Sequence, residues 1–191
     1  MRNLFRELPV LWINKVFVLS FVTVLAGPVS AEVWRLDGNW VISASPQLGG
    51  CTMATKNQTG AFISVSSVAT GMAGERTWEL LVSEDAWFEI QHGATYHTTI
   101  RFLGASDTTR DIAMTGVNTR GTHAAISTAL MIQVADQSEV TSFIVEGLKQ
   151  ANRIELLLDG RLIGSYALTH ADLAIDAVRE CIVSRAANFE A

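Results

Sequence analysis

The chain has 191 residues, 49% of them apolar and 17% charged, a composition that supports a buried core and excludes a disordered polymer. Residues 1–31 read as an export signal; its removal takes away Arg2, Arg6, Lys15 and Glu7, so that 14 basic and 19 acidic residues become 11 and 18, a formal charge of −7. The remaining length of about 160 residues suits one domain, residues 32–191, and the missing basic surplus excludes non-specific binding to nucleic acid.

The amino end runs positive, apolar, small. Arg2, Arg6 and Lys15 precede the uncharged stretch Val16 to Ala26, and Gly27-Pro28-Val29-Ser30-Ala31 follows. As a helix that stretch spans about 16 Å, roughly half of a hydrocarbon core of about 30 Å, too short for an anchor. Pro28 ends the helix, and small side chains at Val29 and Ala31 suit a signal peptidase, so cleavage is expected between Ala31 and Glu32. The alternative is an uncleaved anchor that recruits Leu8 to Ile13, which places Lys15 in the membrane at about 2.5–3.5 kcal/mol. No cysteine stands there to accept a lipid, and no membrane insertion is expected after cleavage.

Short alternating runs separated by Gly, Asn and Asp come next, the pattern of antiparallel strands and tight turns. Trp34 to Leu36 and Trp40 to Ile42 flank Asp37-Gly38-Asn39; Cys51 to Thr55 and Ala61 to Ser67 flank residues 56–60. Thr77 to Ser83 is expected to pair with Ala86 to Ile90 across Glu84-Asp85. Through Gln91-His92-Gly93 the chain enters a strand from Thr95 to Leu103, with Tyr96, Thr98, Ile100 and Phe102 facing inward and His97, Thr99 and Arg101 facing water. Residues 104–128 are polar and read as irregular, with Ile112 to Met114 the one short strand.

Leu130 to Val134 forms a further strand. Val140, Phe143, Ile144, Gly147, Leu148 and Ala151 then recur at helical spacing behind Ser138 as N-cap. Ile154 to Leu158 and Arg161 to Tyr166 flank Asp159-Gly160, a strong two-residue hairpin signal. Thr169 then caps a last helix whose apolar stripe is Ala171, Ala174, Ile175, Val178, Cys181 and Ile182, opposite Asp172, Asp176 and Arg179.

Two cysteines, Cys51 and Cys181, are expected to pair in an oxidising compartment. The alternatives are two buried thiols or a redox pair, the latter without the short Cys-x-x-Cys spacing that tunes a thiolate. The expected fold class is α+β: a mainly antiparallel sheet, sandwich-like or curled, with the C-terminal helix packed on it and a short helix before the last hairpin.

From about Trp78 to Cys181 the chain resembles a recurrent type of small exported bacterial protein with no assigned activity. The resemblance rests on the late hairpin, the link Gly164-Ser165-Tyr166-Ala167-Leu168, and the helix Leu173 to Cys181. It implies location and fold only.

No motif carries chemistry. His92, His97, His123 and His170 are scattered, and His92 and His97, five apart, fall on opposite strand faces, so no metal set is expected. Ser165 lacks a nucleophile elbow, Glu84-Asp85 and Asp172/Asp176 read as solvated, and Gly49-Gly50 and Gly71 to Gly74 lack the lysine of a phosphate loop. Asn57-Gln58-Thr59 matches a glycosylation triplet. No catalytic residue and no cofactor is expected. Trp78 alternates with Leu80 and Val82 and belongs to the core. Trp34 and Trp40, flanking one turn, divide between core and a candidate interaction surface. The expectation is a periplasmic or secreted, non-enzymatic domain that binds a protein or an envelope component. A hydrolase with dispersed residues and a binder of a small apolar ligand are the alternatives.

Overall fold

The computed structural model describes residues 32–45, 49–56, 61–69, 75–84, 87, 89–120 and 126–189. The export signal with Ala31, the glycosylation triplet, Gly71 to Gly74, Asp85 and His123 lie outside them. In chain order the elements are β1 (Glu32–Asp37), β2 (Trp40–Ser45), β3 (Gly50–Lys56), β4 (Phe62–Ala69), β5 (Arg76–Ser83), β6 (Thr95–Gly104), β7 (Thr108–Arg120), β8 (Ile126–Ala135), α1 (Glu139–Gln150), β9 (Ala151–Leu158), β10 (Arg161–Ala167) and α2 (Ala171–Phe189).

The ten strands make one open antiparallel sheet in the order β1-β2-β3-β4-β5-β8-β7-β6-β9-β10. The expected class is therefore the observed one, with α1 before the last hairpin and α2 at the end. Alternation sets the faces. Register aligns Ile42, Met53, Val65 and Leu80 in one row across β2 to β5, all buried, and Ala44, Cys51, Ser67 and Trp78 in the next. On β6, Thr98, Ile100 and Phe102 are buried and Tyr96 half-buried on the inner face, as their spacing predicts, while His97 and Arg101 are exposed and Thr99 half-buried on the other.

Both helices cover that inner face. Ser138 caps α1, its hydroxyl accepting from the Thr141 N–H at 3.0 Å. The stripe of α2 is buried from Ala171 to Cys181, and Cys181 is bonded to Cys51 on β3 with Cα atoms 6.2 Å apart, an ordinary disulfide span. The one staple thus joins the third strand to the last helix.

Gly147 is where α1 meets the sheet. A Cβ there would overlap the buried Phe102 ring, which packs edge-on against Phe143 at 5.2 Å between centroids. In an exposed helix Gly→Ala stabilises by about 1 kcal/mol; here displacing the ring costs about 1–3 kcal/mol and reverses the sign. Gly147→Ala is expected to lower the urea midpoint without changing its slope.

Three expectations are corrected. First, β5 pairs with β4 on one side and β8 on the other, which leaves no edge for residues 86–90; Trp87, Glu89 and Ile90 are not in a strand. Second, the segment read as irregular is mostly the 13-residue strand β7, held between β6 and β8. Its threonines favour extended backbone, and only its inner positions, such as Ile112, Met114 and Gly116, are buried. Third, α2 begins at Ala171 with Ala174 N–H bonded to His170 O, so His170, at φ 62°, occupies the cap position expected for Thr169.

The tight turns follow from backbone freedom. Asp37 pairs with Trp40, leaving Gly38-Asn39 as a two-residue turn with Gly38 at φ 59°. A side chain there would also come within 2.7 Å of the His170 ring. Asp159 and Gly160, at φ 51° and 75°, make the hairpin turn that their sequence announces.

Candidate binding surface

Trp40 and Trp34, taken together as a candidate surface, separate in the structure. Trp40 is 1% exposed, its indole N–H donating to Thr169 O at 2.9 Å, so it belongs to the core and is corrected as a surface residue. The reason is register: its partner row faces α2, and the loop before α2 supplies the acceptor. Trp34 is half-buried at a β-bulge, with the Arg35 guanidinium 5.8 Å from its ring centroid. The exposed large apolar side chains of this hairpin are instead Val33 at 61%, Leu36 at 65% and Val41 at 40%.

These three lie on the sheet face away from the helices. Leu36 pairs with Val41, and the row continues through Ala54, Ser64, Leu81 and Met131. The next row is Ser43, Thr52, Ser66, Glu79 and Gln133, tied by hydroxyl contact between Thr52 and Ser66 at 2.9 Å and by Gln133 Nε2 donating to Glu79 at 2.9 Å. Among the described residues of β1 to β5, this outer face carries two charges, Lys56 and Glu79. Across β7, β6 and β9 the same face carries Asp111, Arg101, Glu155 and Arg153, besides His97. One half of the sheet has a water-adapted exterior; the other is surfaced with Ser, Thr, Ala, Val and Leu. Sequence patterning hides this, because small polar residues at alternate positions look like any solvated strand.

The two sheet edges are both guarded. Along β10, the Trp87 indole donates to Ile163 O at 2.8 Å and Arg161 pairs with Glu89 at 3.2 Å. The Tyr166 hydroxyl reaches back to Ser83 O at 3.2 Å, so β10 curls over the end of β5. Burial pushes the Tyr166 phenol pKa up, and Glu84 adds to it by charge and hydrogen bond; this carboxylate, expected to be solvated, is half-buried. On β1, the bulge at Trp34 and the inward-turned Arg35, paired with Asp37 at 2.7 Å and Glu180 at 2.9 Å, discourage strand addition. The outer face, not the edge, is therefore the available surface.

A cleft of about 360 Å³ opens between α1, α2 and β5. Arg76 sits in it, donating to Ser67 Oγ and Gly49 O, each at 3.1 Å, and burial lowers its pKa while Asp136 opposes. Asp136 accepts the Trp78 indole N–H, and Glu146 and Arg179 also line the cleft. Its cations and carboxylates balance, and the Ser67 hydroxyl is engaged by the guanidinium. A second cleft of about 270 Å³ lies beside β10 between Trp87, Leu162 and the Arg161–Glu89 pair.

The other residues singled out stay apart. His92 Nδ1 accepts from the Asn118 N–H at 3.2 Å, His97 is exposed on the outer face, and His170 is at the start of α2. Ser165 is half-buried opposite Glu155, and Asp176 pairs with Lys149 of α1 at 3.0 Å. Among the described residues, no three His, Cys, Asp or Glu side chains converge as a metal group would require, and no helix is long and apolar enough to cross a membrane. The chain matches no protein-family model, no curated protein and no solved structure.

Proposed function

We propose that the chain is exported, loses residues 1–31, and acts as a disulfide-stapled binding domain that docks another protein on the outer face of β1 to β5. The observation that supports docking is the charge contrast across the sheet: a face meant only for water carries charge, as the β6–β9 half does, whereas the described residues of this half carry only Lys56 and Glu79 over five strands. Protein partners fit better than an anionic envelope surface, because the mature chain has a formal charge of −7 and the face offers Lys56 as its one described cation. Export is supported by the positive, apolar, small order of residues 1–31 and by the Cys51–Cys181 bond, which persists in oxidising compartments.

Intact mass of the protein recovered outside the cytoplasm is expected to correspond to a chain beginning at Glu32. A species retaining residues 1–31 in the membrane fraction refutes export by cleavage. For docking, a photo-crosslinking residue at Val41 is expected to capture protein in the exporting cell, and one at Ala113 on the charged half is not. Equal capture at both positions, or none at either, refutes the surface.

A further inference from the structure

We infer that the protein docked on this face is a second copy of the chain, the two outer faces of β1 to β5 packing against each other around a two-fold axis. The inference rests on the docking reading above and names its partner.

Three observations carry it. The face is neutral, so it offers no complementary potential to recruit a charged partner; whatever covers it must itself present an almost uncharged sheet-like surface, and this chain carries one of matching size. Two-fold packing is isologous, so each residue that is apolar or small meets another of the same kind, with the half-buried Ala54 central, over the buried Ser64 beside it, and Val33, Leu36 and Val41 covering the exposed end. Five strands of six to eight residues, about 4.8 Å apart, give a patch that, counted on both copies, buries roughly 1,000 Å², the lower bound for a specific interface. The guarded β1 edge disfavours the competing geometry, in which the sheets would join strand to strand. Sheets stacked face to face pack about 10 Å apart, which small side chains such as Ala54, Ser64 and Thr52 permit.

The test is sedimentation velocity on the protein purified from the exporting cell, over about 1–100 μM, with Ala54→Arg and Ala113→Arg as variants. The expected result is a concentration-dependent species of twice the chain mass. Ala54→Arg, which sets two guanidinium groups together at the centre, is expected to weaken it at least about tenfold, while Ala113→Arg leaves it unchanged. Circular dichroism and melting curves check that both variants fold. Should Ala54→Arg fail to fold, the crosslinker at Val41 reports on the unaltered fold, and a product of twice the chain mass is expected. A protein monomeric across the range whose Val41 crosslinks to a different protein overturns the second-copy inference and leaves docking standing. A monomer with no Val41 crosslink overturns both.

Discussion

Replacing both Cys51 and Cys181 with alanine is expected to lower the melting temperature by about 10–20 °C. The bond closes a loop across a sequence separation of 130 residues, for which loss of unfolded-state entropy stabilises the fold by just under about 5 kcal/mol, an upper bound because residual structure in the unfolded chain reduces it. For a domain of this size each kcal/mol moves the transition by about 2–4 °C. Both cysteines are buried, so a reductant's thiolate reaches the sulfurs only when α2 separates from β3. Reduction is thus expected to be slow in native buffer and fast in denaturant. Free thiols in the unfolded, unreduced protein would contradict the staple, and a melting curve unmoved by the double substitution would contradict its energetic role.

Trp40→Ala is expected to cost about 3–5 kcal/mol, among the largest effects of any single side chain here. The indole fills the junction between β2 and the loop entering α2, and its removal leaves a cavity there and an unmatched carbonyl at Thr169. Trp40→Phe separates the two contributions: it keeps most of the volume, loses the hydrogen bond, and is expected to cost about 1–3 kcal/mol. Chemical denaturation measures both. Because Trp40 faces the helices and not the docking face, Trp40→Phe is expected to leave association through Val41 unaltered. A loss of association with little loss of stability would return Trp40 to the surface role that its turn suggests.

Several elements were legible because their signals are local. Asp159-Gly160 requires only that two adjacent residues accept left-handed backbone, and they do. The stripe on α2 and the alternation on β6 depend on residues two to seven positions apart, and burial follows both. With two cysteines in the whole chain, their pairing needed no three-dimensional information. The strand β7 was illegible for the opposite reason: with small and polar residues at many positions, its extended form is enforced by hydrogen bonds to β6 and β8, partners that no local pattern specifies.

Composition and short-range pattern by themselves determined the acidic charge, the two-cysteine staple, the α+β class and the inward faces of most strands. Each depends on counts or on spacings within one turn or one strand, where side-chain direction is set by backbone geometry alone. Tertiary structure alone decided that β5 pairs with β8 and not with residues 86–90, that Trp40 is core, and that the sparsely charged rows of β1 to β5 form one continuous outer face. Those outcomes depend on which edges remain vacant once neighbours have paired and on which face the helices cover. A serine at an alternate position reads the same whether it ends facing water or a partner; only the register that places Ala54, Ser64 and Leu81 side by side turns isolated small residues into a surface.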